Sequence, residues 1–166
     1  MFDGLFGSLN LGARHGVTVG SPVAGETVLL AKVNDPTFSA GLLGEGVAVE
    51  PTSDRVVAPA DAEVQAIFPT GHAVALRTVE GVDLLIHVGL NTVQLGGRFF
   101  HVLASQGDRV SRGDVLIEFD RAAIVAAGYD IVVPVLVRNA VEFKSVRPCC
   151  GSRVGELGPL IEVRRR

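Results

Sequence analysis

Tryptophan is absent from this 166-residue chain, and tyrosine occurs once. Cysteine occurs twice, as the adjacent pair Cys149-Cys150. Adjacent cysteines are poorly placed to bridge each other, because the bond strains the peptide between them. Two thiols are also too few for a disulfide framework or a thiolate zinc site, so both read as reduced thiols of a cytoplasmic protein. No apolar run approaches the ~20 residues that span a bilayer. No basic stretch followed by an apolar one marks a secretion signal. A surplus of one charge is lacking too. The formal net charge is −3, which argues against nucleic acid as a partner. The run Arg164-Arg165-Arg166 reads as a short solvated tail.

What is present is apolar and turn-rich: 48% of the residues are hydrophobic and 20 are glycine. With many valines, this favours short strands joined by tight turns. Residues 1–18 stand apart as a flexible N-terminal tail. Phe2, Leu5, Phe6 and Leu9 follow helical spacing, but Gly4, Gly7 and Gly12 oppose a stable isolated helix. The expectation is that residues 1–12 are disordered in water and become helical on anionic lipid, with residues 2–9 giving a peripheral membrane contact. Residues 19–166 are expected to form one domain, and Met1 with the short basic end points to a free-standing protein.

Within that domain, turn signals such as Asn34-Asp35-Pro36, Pro69-Thr70-Gly71, Glu80-Gly81 and Gln106-Gly107-Asp108 recur. Apolar runs lie between them at 26–31, 46–49, 62–68, 72–79, 82–88, 115–119 and 132–137. Short strands at this spacing predict an all-β protein, an antiparallel β-sandwich or flattened barrel. Minor short helices are expected at 98–106 and at 120–127, the latter capped by Asp120. Pro22-Val23-Ala24-Gly25-Glu26 and Pro59-Ala60-Asp61-Ala62-Glu63 form a weak repeat, 37 residues apart, read as two copies of one hairpin-like unit.

The chemistry concentrates between Pro69 and Thr92, which reads as two strands joined at Glu80-Gly81. If Val79 pairs with Val82, paired positions sum to 161 and His87 lies diagonal to His72 on one face. If they sum to 159, the two histidines are directly opposed, with Cβ atoms about 5 Å apart. A sum of 160 would put them on opposite faces. The odd registers bring the imidazoles together. A neutral imidazole is a good nucleophile near neutral pH, and a second one beside it can donate to phosphoryl oxygens. Thr70 is placed to orient the His72 ring. By spacing alone three readings stay open: a phosphohistidine carrier, a zinc site, or two unrelated strand histidines. His15 and His101 have no comparable neighbourhood.

The run Asp83-Leu84-Leu85-Ile86-His87-Val88-Gly89-Leu90-Asn91-Thr92-Val93 resembles the phosphorylation-site signature of glucose-family enzyme IIA proteins of the bacterial sugar phosphotransferase system. The likeness extends over residues 20–165. It takes in Asn34-Asp35-Pro36-Thr37-Phe38, Gly44-Glu45-Gly46-Val47-Ala48, Phe68-Pro69-Thr70-Gly71-His72-Ala73 and Ile117-Glu118-Phe119-Asp120. The resemblance implies a flattened antiparallel sandwich with both histidines in a shallow depression. It implies that His87 is phosphorylated, that His72 stabilises the phosphoryl group and that Thr70 hydrogen-bonds His72. It names phospho-HPr as donor, a cysteine of the IIB domain of a sugar permease as acceptor, and no cofactor or metal. Asp35 and Phe38, with Leu42, Leu43 and Asn91, are expected at the rim where partners dock. Two positions depart from the family pattern: Asn91 replaces a common aspartate, and Ala62 replaces a turn glycine.

Rival functions lack their residues. A lysostaphin-type zinc peptidase needs a His-x-His pair, and position 85 is Leu. The aspartate such an enzyme needs four residues after His72 is also missing, since position 76 is Leu. A biotinyl-type carrier needs a lysine on a tight hairpin, and neither Lys32 nor Lys144 sits in one. A regulatory module that has lost phosphoryl transfer would not need His72, His87 and Thr70 together.

Overall fold

In the computed structural model, residues 16–149 and 151–166 are described. The amphipathic positions 2–9, His15 and Cys150 lie outside them. Fourteen strands and two short α-helices are present among the described residues. In chain order the strands are β1 (Gly16–Gly20), β2 (Gly25–Leu29), β3 (Glu45–Pro51), β4 (Arg55–Val57), β5 (Ala62–Ile67), β6 (Ala73–Thr78) and β7 (Asp83–His87). There follow β8 (Phe100–Val102), β9 (Arg109–Val110), β10 (Val115–Phe119), β11 (Val133–Val137), β12 (Ser145–Pro148), β13 (Arg153–Val154) and β14 (Pro159–Arg164). Helix α1 is Pro36–Ser39 and α2 is Arg121–Ala126.

An eight-stranded sheet runs in the order β13-β2-β3-β11-β7-β6-β5-β9, with two three-stranded sheets, β1-β14-β12 and β4-β10-β8. Every pairing is antiparallel. The fold is therefore an open β-sandwich and not a closed barrel. Side chains alternate across a strand, and β3 and β11 use both faces. Val47, Val49, Val133, Val135 and Val137 join the main core, while Ala48 and Leu136 join a second cluster with Val33, Phe38, Leu90 and Val132. That second cluster sits on the face that also carries Leu85, and it builds the floor beneath α1.

Both repeat copies lead into a strand that pairs with the next strand of the same sheet, β2 with β3 and β5 with β6. Ala62 lies inside β5, paired with Thr78 and Val110, so its position is not a turn. Asp120 caps α2, accepting from the Ala123 N–H at 3.0 Å.

Three sequence expectations are corrected. Residues 98–106 are not helical: Phe99 has φ +74°, and Phe100–Val102 pair with β10 as a strand. The pairing opposite Phe119, Glu118 and Ile117 outweighs a weak helical pattern. β1 starts at Gly16, inside the segment expected to be tail. The terminal arginines are not a solvated tail. Arg164 belongs to β14, Arg165 donates to the Glu80 carbonyl at 2.8 Å, and Arg166 donates to the Val141 carbonyl at 3.0 Å. Because Gly16 pairs with Arg164, the start of β1 and the end of β14 both lie beside the β6–β7 turn.

Candidate active site

His87 ends β7, and His72 immediately precedes β6. The β6–β7 connection has three residues, Val79-Glu80-Gly81, because Thr78 and not Val79 pairs with Val82: the Thr78 N–H donates to the Val82 carbonyl at 3.0 Å. Gly81 supplies φ +86° at the last loop position, the residue type a three-residue hairpin asks for there. Asn139 holds the loop, donating to the Gly81 carbonyl and accepting from the Asp83 N–H. Val79, 77% exposed, forms the tip.

This extra loop residue overturns the expected odd registers. Ala73 pairs with His87 and Val74 with Ile86, so paired positions sum to 160. In a continuous ladder His72 would then share the core face of Val74. It does not continue the ladder. The chain bends at Gly71, φ +74°, and His72 keeps only its carbonyl in register, accepting from the Val88 N–H at 2.7 Å. Its ring swings over the other face. The His72 and His87 rings lie edge to face, with centroids 5.3 Å apart.

Each ring is fixed through Nδ1. Thr70 Oγ1 is 2.8 Å from His72 Nδ1. His87 Nδ1 is 2.7 Å from the Gly89 carbonyl oxygen. A carbonyl only accepts, so the neutral His87 ring keeps its proton on Nδ1 and leaves Nε2 as a bare lone pair. Phe68 stacks on His72 at 4.9 Å, and the Phe38 ring tilts against His87 at 5.1 Å. Burial, and then the neighbouring His87, push the His72 pKa down to about 4. Burial also lowers the His87 pKa, opposed by its bond to Gly89 and by the Asp35 carboxylate. Both rings are therefore neutral near pH 7.

The rim residues differ in kind. Asp35 caps α1 by accepting from the Thr37 N–H at 2.9 Å, and Pro36 takes the first helical position. Phe38 is buried against His87 and not open, while Leu42 and Leu43 are exposed on the following turn. Asn91 is exposed in a left-handed conformation, φ 59°, one that asparagine adopts more readily than most residues. Sequence reasoning missed Phe68, half-exposed on the His72 ring, although its place just before Pro69-Thr70-Gly71-His72 was a usable signal. Among the described residues no three His, Cys, Asp or Glu side chains are grouped as a metal site would need. His101 is exposed on β8, remote in sequence from the pair.

Residues 17–143 match the family described as phosphoenolpyruvate-dependent sugar phosphotransferase system, EIIA 1. The chain belongs to this family. It is 43% identical over 154 residues to the beta-glucoside-specific EIIBCA component of Dickeya chrysanthemi, which covers 93% of this chain and 24% of that protein. The glucose-specific EIIA component of Staphylococcus epidermidis is 38% identical over 146 residues, covering 88% of this chain and 87% of its own length. The solved glucose permease IIA from Mycoplasma capricolum superposes with a TM-score of 0.81 at 28% identity, covering 89% of this chain and 95% of its own. The chain spans about a quarter or less of the length of its EIIBCA relatives. Membership of the EIIA family makes it a phosphotransferase component with a phosphocarrier role in sugar uptake. No helix of the described residues is long and apolar enough to cross a membrane.

Proposed function

We propose that His87 carries the phosphoryl group on Nε2, taking it from phospho-HPr and passing it to a cysteine of the IIB domain of a sugar permease. The observation that supports this most is the His87 Nδ1 bond to the Gly89 carbonyl, which leaves Nε2 as the nucleophilic nitrogen of a ring that packs against a second imidazole. In the first step Nε2 bonds to phosphorus as the donor's bond to phosphorus breaks. In the second, the acceptor thiolate bonds to phosphorus and the Nε2–P electron pair returns to the ring. His72 forms no bond to phosphorus. With Thr70 donating to its Nδ1, the His72 proton sits on Nε2, where it donates to a phosphoryl oxygen. Positioning and charge stabilisation account for such transfers.

Asp35, the exposed pair Leu42 and Leu43, and Asn91 form the docking rim, with Phe38 supporting it from beneath. The protein works in the cytoplasm, and residues 2–9 bring it to an anionic membrane surface. Incubation with phosphoenolpyruvate, enzyme I and HPr tests the carrier reading. Intact mass should rise by one acid-labile phosphate, and no gain would refute it. Circular dichroism of a 1–18 peptide with anionic vesicles tests the membrane contact, and no gain of helix would remove it.

A further inference from the structure

We infer that Thr92 is a positioning residue that sets the tautomer of His87 through the two peptide groups on either side of Gly89. The inference rests on the carrier reading of His87 and adds what holds its Nδ1 acceptor in place. Gly89 has φ +77°, and each flanking peptide is clamped at both ends. In the Val88–Gly89 peptide, the N–H donates to the Val132 carbonyl at 2.9 Å and the oxygen accepts from the Thr92 hydroxyl. In the Gly89–Leu90 peptide, the N–H donates to the Asp130 carbonyl at 2.9 Å and the oxygen accepts from His87 Nδ1.

Three of those four bonds go to main-chain groups or to His87 itself. Among the described residues, Thr92 supplies the one side chain other than His87 that hydrogen-bonds these two peptides. It is fully buried, at 0% exposure. Its methyl also underlies Gly89: a Cβ placed there would come within 2.5 Å of Thr92 Cγ2. The hydroxyl thus fixes how far the Val88 carbonyl rotates, while the methyl only fills the space beneath Gly89. When the turn relaxes, the Gly89 oxygen leaves the plane of the imidazole. The ring proton is then free to occupy Nε2, the nitrogen that must attack phosphorus. A ring held in the wrong tautomer keeps its place and loses its reactivity.

The test uses the full chain labelled with ¹⁵N-histidine. Long-range ¹H–¹⁵N spectra report which His87 nitrogen carries the proton, before any phosphate is present. Thr92→Val keeps the shape and removes the hydroxyl, whereas Thr92→Ser keeps the hydroxyl and removes the methyl. In the unaltered chain and in Thr92→Ser the proton is expected on Nδ1. In Thr92→Val it should spread to Nε2. The phosphorylation rate at saturating phospho-HPr should fall about tenfold or more there, with half-saturation unchanged and the rate restored in Thr92→Ser. Thr92→Val that keeps the wild-type tautomer overturns the inference. So does Thr92→Ser that loses it, a result that stands even if Thr92→Val does not fold. A chain that shows the expected tautomers yet takes no phosphate refutes the carrier reading and leaves the positioning role supported.

Discussion

Phe68 stacks on His72 with ring centroids 4.9 Å apart and planes inclined by 30°, yet about half of its own surface remains open. One residue is thus both a wall of the site and a contact surface. Removing it should rehydrate His72, whose low pKa comes first from burial. Phe68→Ala should raise the His72 pKa from about 4 towards the ordinary 6.5, read by NMR titration of the ring protons. An unchanged midpoint would mean that the shielding comes from elsewhere.

Acid should unfold this chain through its histidines as well as its carboxylates. Unfolded, His72 titrates near 6.5; folded, near 4. Between those values the unfolded chain binds a proton that the folded chain refuses, so stability falls as pH drops through that window. The loss from His72 alone approaches about 3 kcal/mol, and His87, also lowered, adds to it. His72→Gln should flatten this dependence. Denaturation midpoints near neutral pH and near pH 5 would show whether it does.

Phosphorylation should reverse the shift. A doubly charged phosphoryl group on His87 places negative charge beside His72, and an opposite charge favours the protonated ring. The His72 pKa should therefore rise above its value of about 4 in the phosphorylated protein, seen by ³¹P-decoupled proton NMR against pH. A pKa that stays put would place His72 outside reach of the phosphoryl oxygens.

The two histidines should fail differently. His87→Ala should accept no phosphate. His72→Gln keeps an amide donor but no capacity for positive charge, so it should still be phosphorylated while onward transfer to a thiolate slows by about 10²–10³. Quench-flow with labelled phosphoenolpyruvate resolves the half-reactions. Phosphate on His87→Ala but none on His72→Gln would exchange their roles.

Asp35→Asn isolates charge from structure, because asparagine caps a helix about as well as aspartate. α1 should persist, association with HPr should slow, and its salt dependence should flatten. The His87 pKa should drop further, since the Asp35 carboxylate raises it. Association rates at several salt concentrations, with a titration of His87, would check all three.

Much of this molecule was legible from residue order. Alternation and turn chemistry located β2, β3, β5, β6, β7, β10 and β11, and Asp120 announced α2. The histidine pair was found for a reason that was partly mistaken. A two-residue loop at Glu80-Gly81 and a three-residue loop at Val79-Glu80-Gly81 differ by one residue of register, and the choice depends on the remote Asn139. The even register separates the strands' faces, and only the bend at Gly71 restores the encounter. The strands β1, β12, β13 and β14 were not anticipated, because they are short or mix charged and apolar residues, and long-range pairing specifies them. Phe99 shows the same limit: its positive φ is imposed by packing and has no local signature.

The pairing of Gly16 with Arg164, and the reach of Arg165 to Glu80, put the start of β1 and the end of β14 at one pole of the sandwich. His72 and His87 lie at the other, separated by the length of β6, roughly 17 Å. The ends of β1 and β14 therefore lie away from the reactive pole, which a docking partner can approach without meeting either of them.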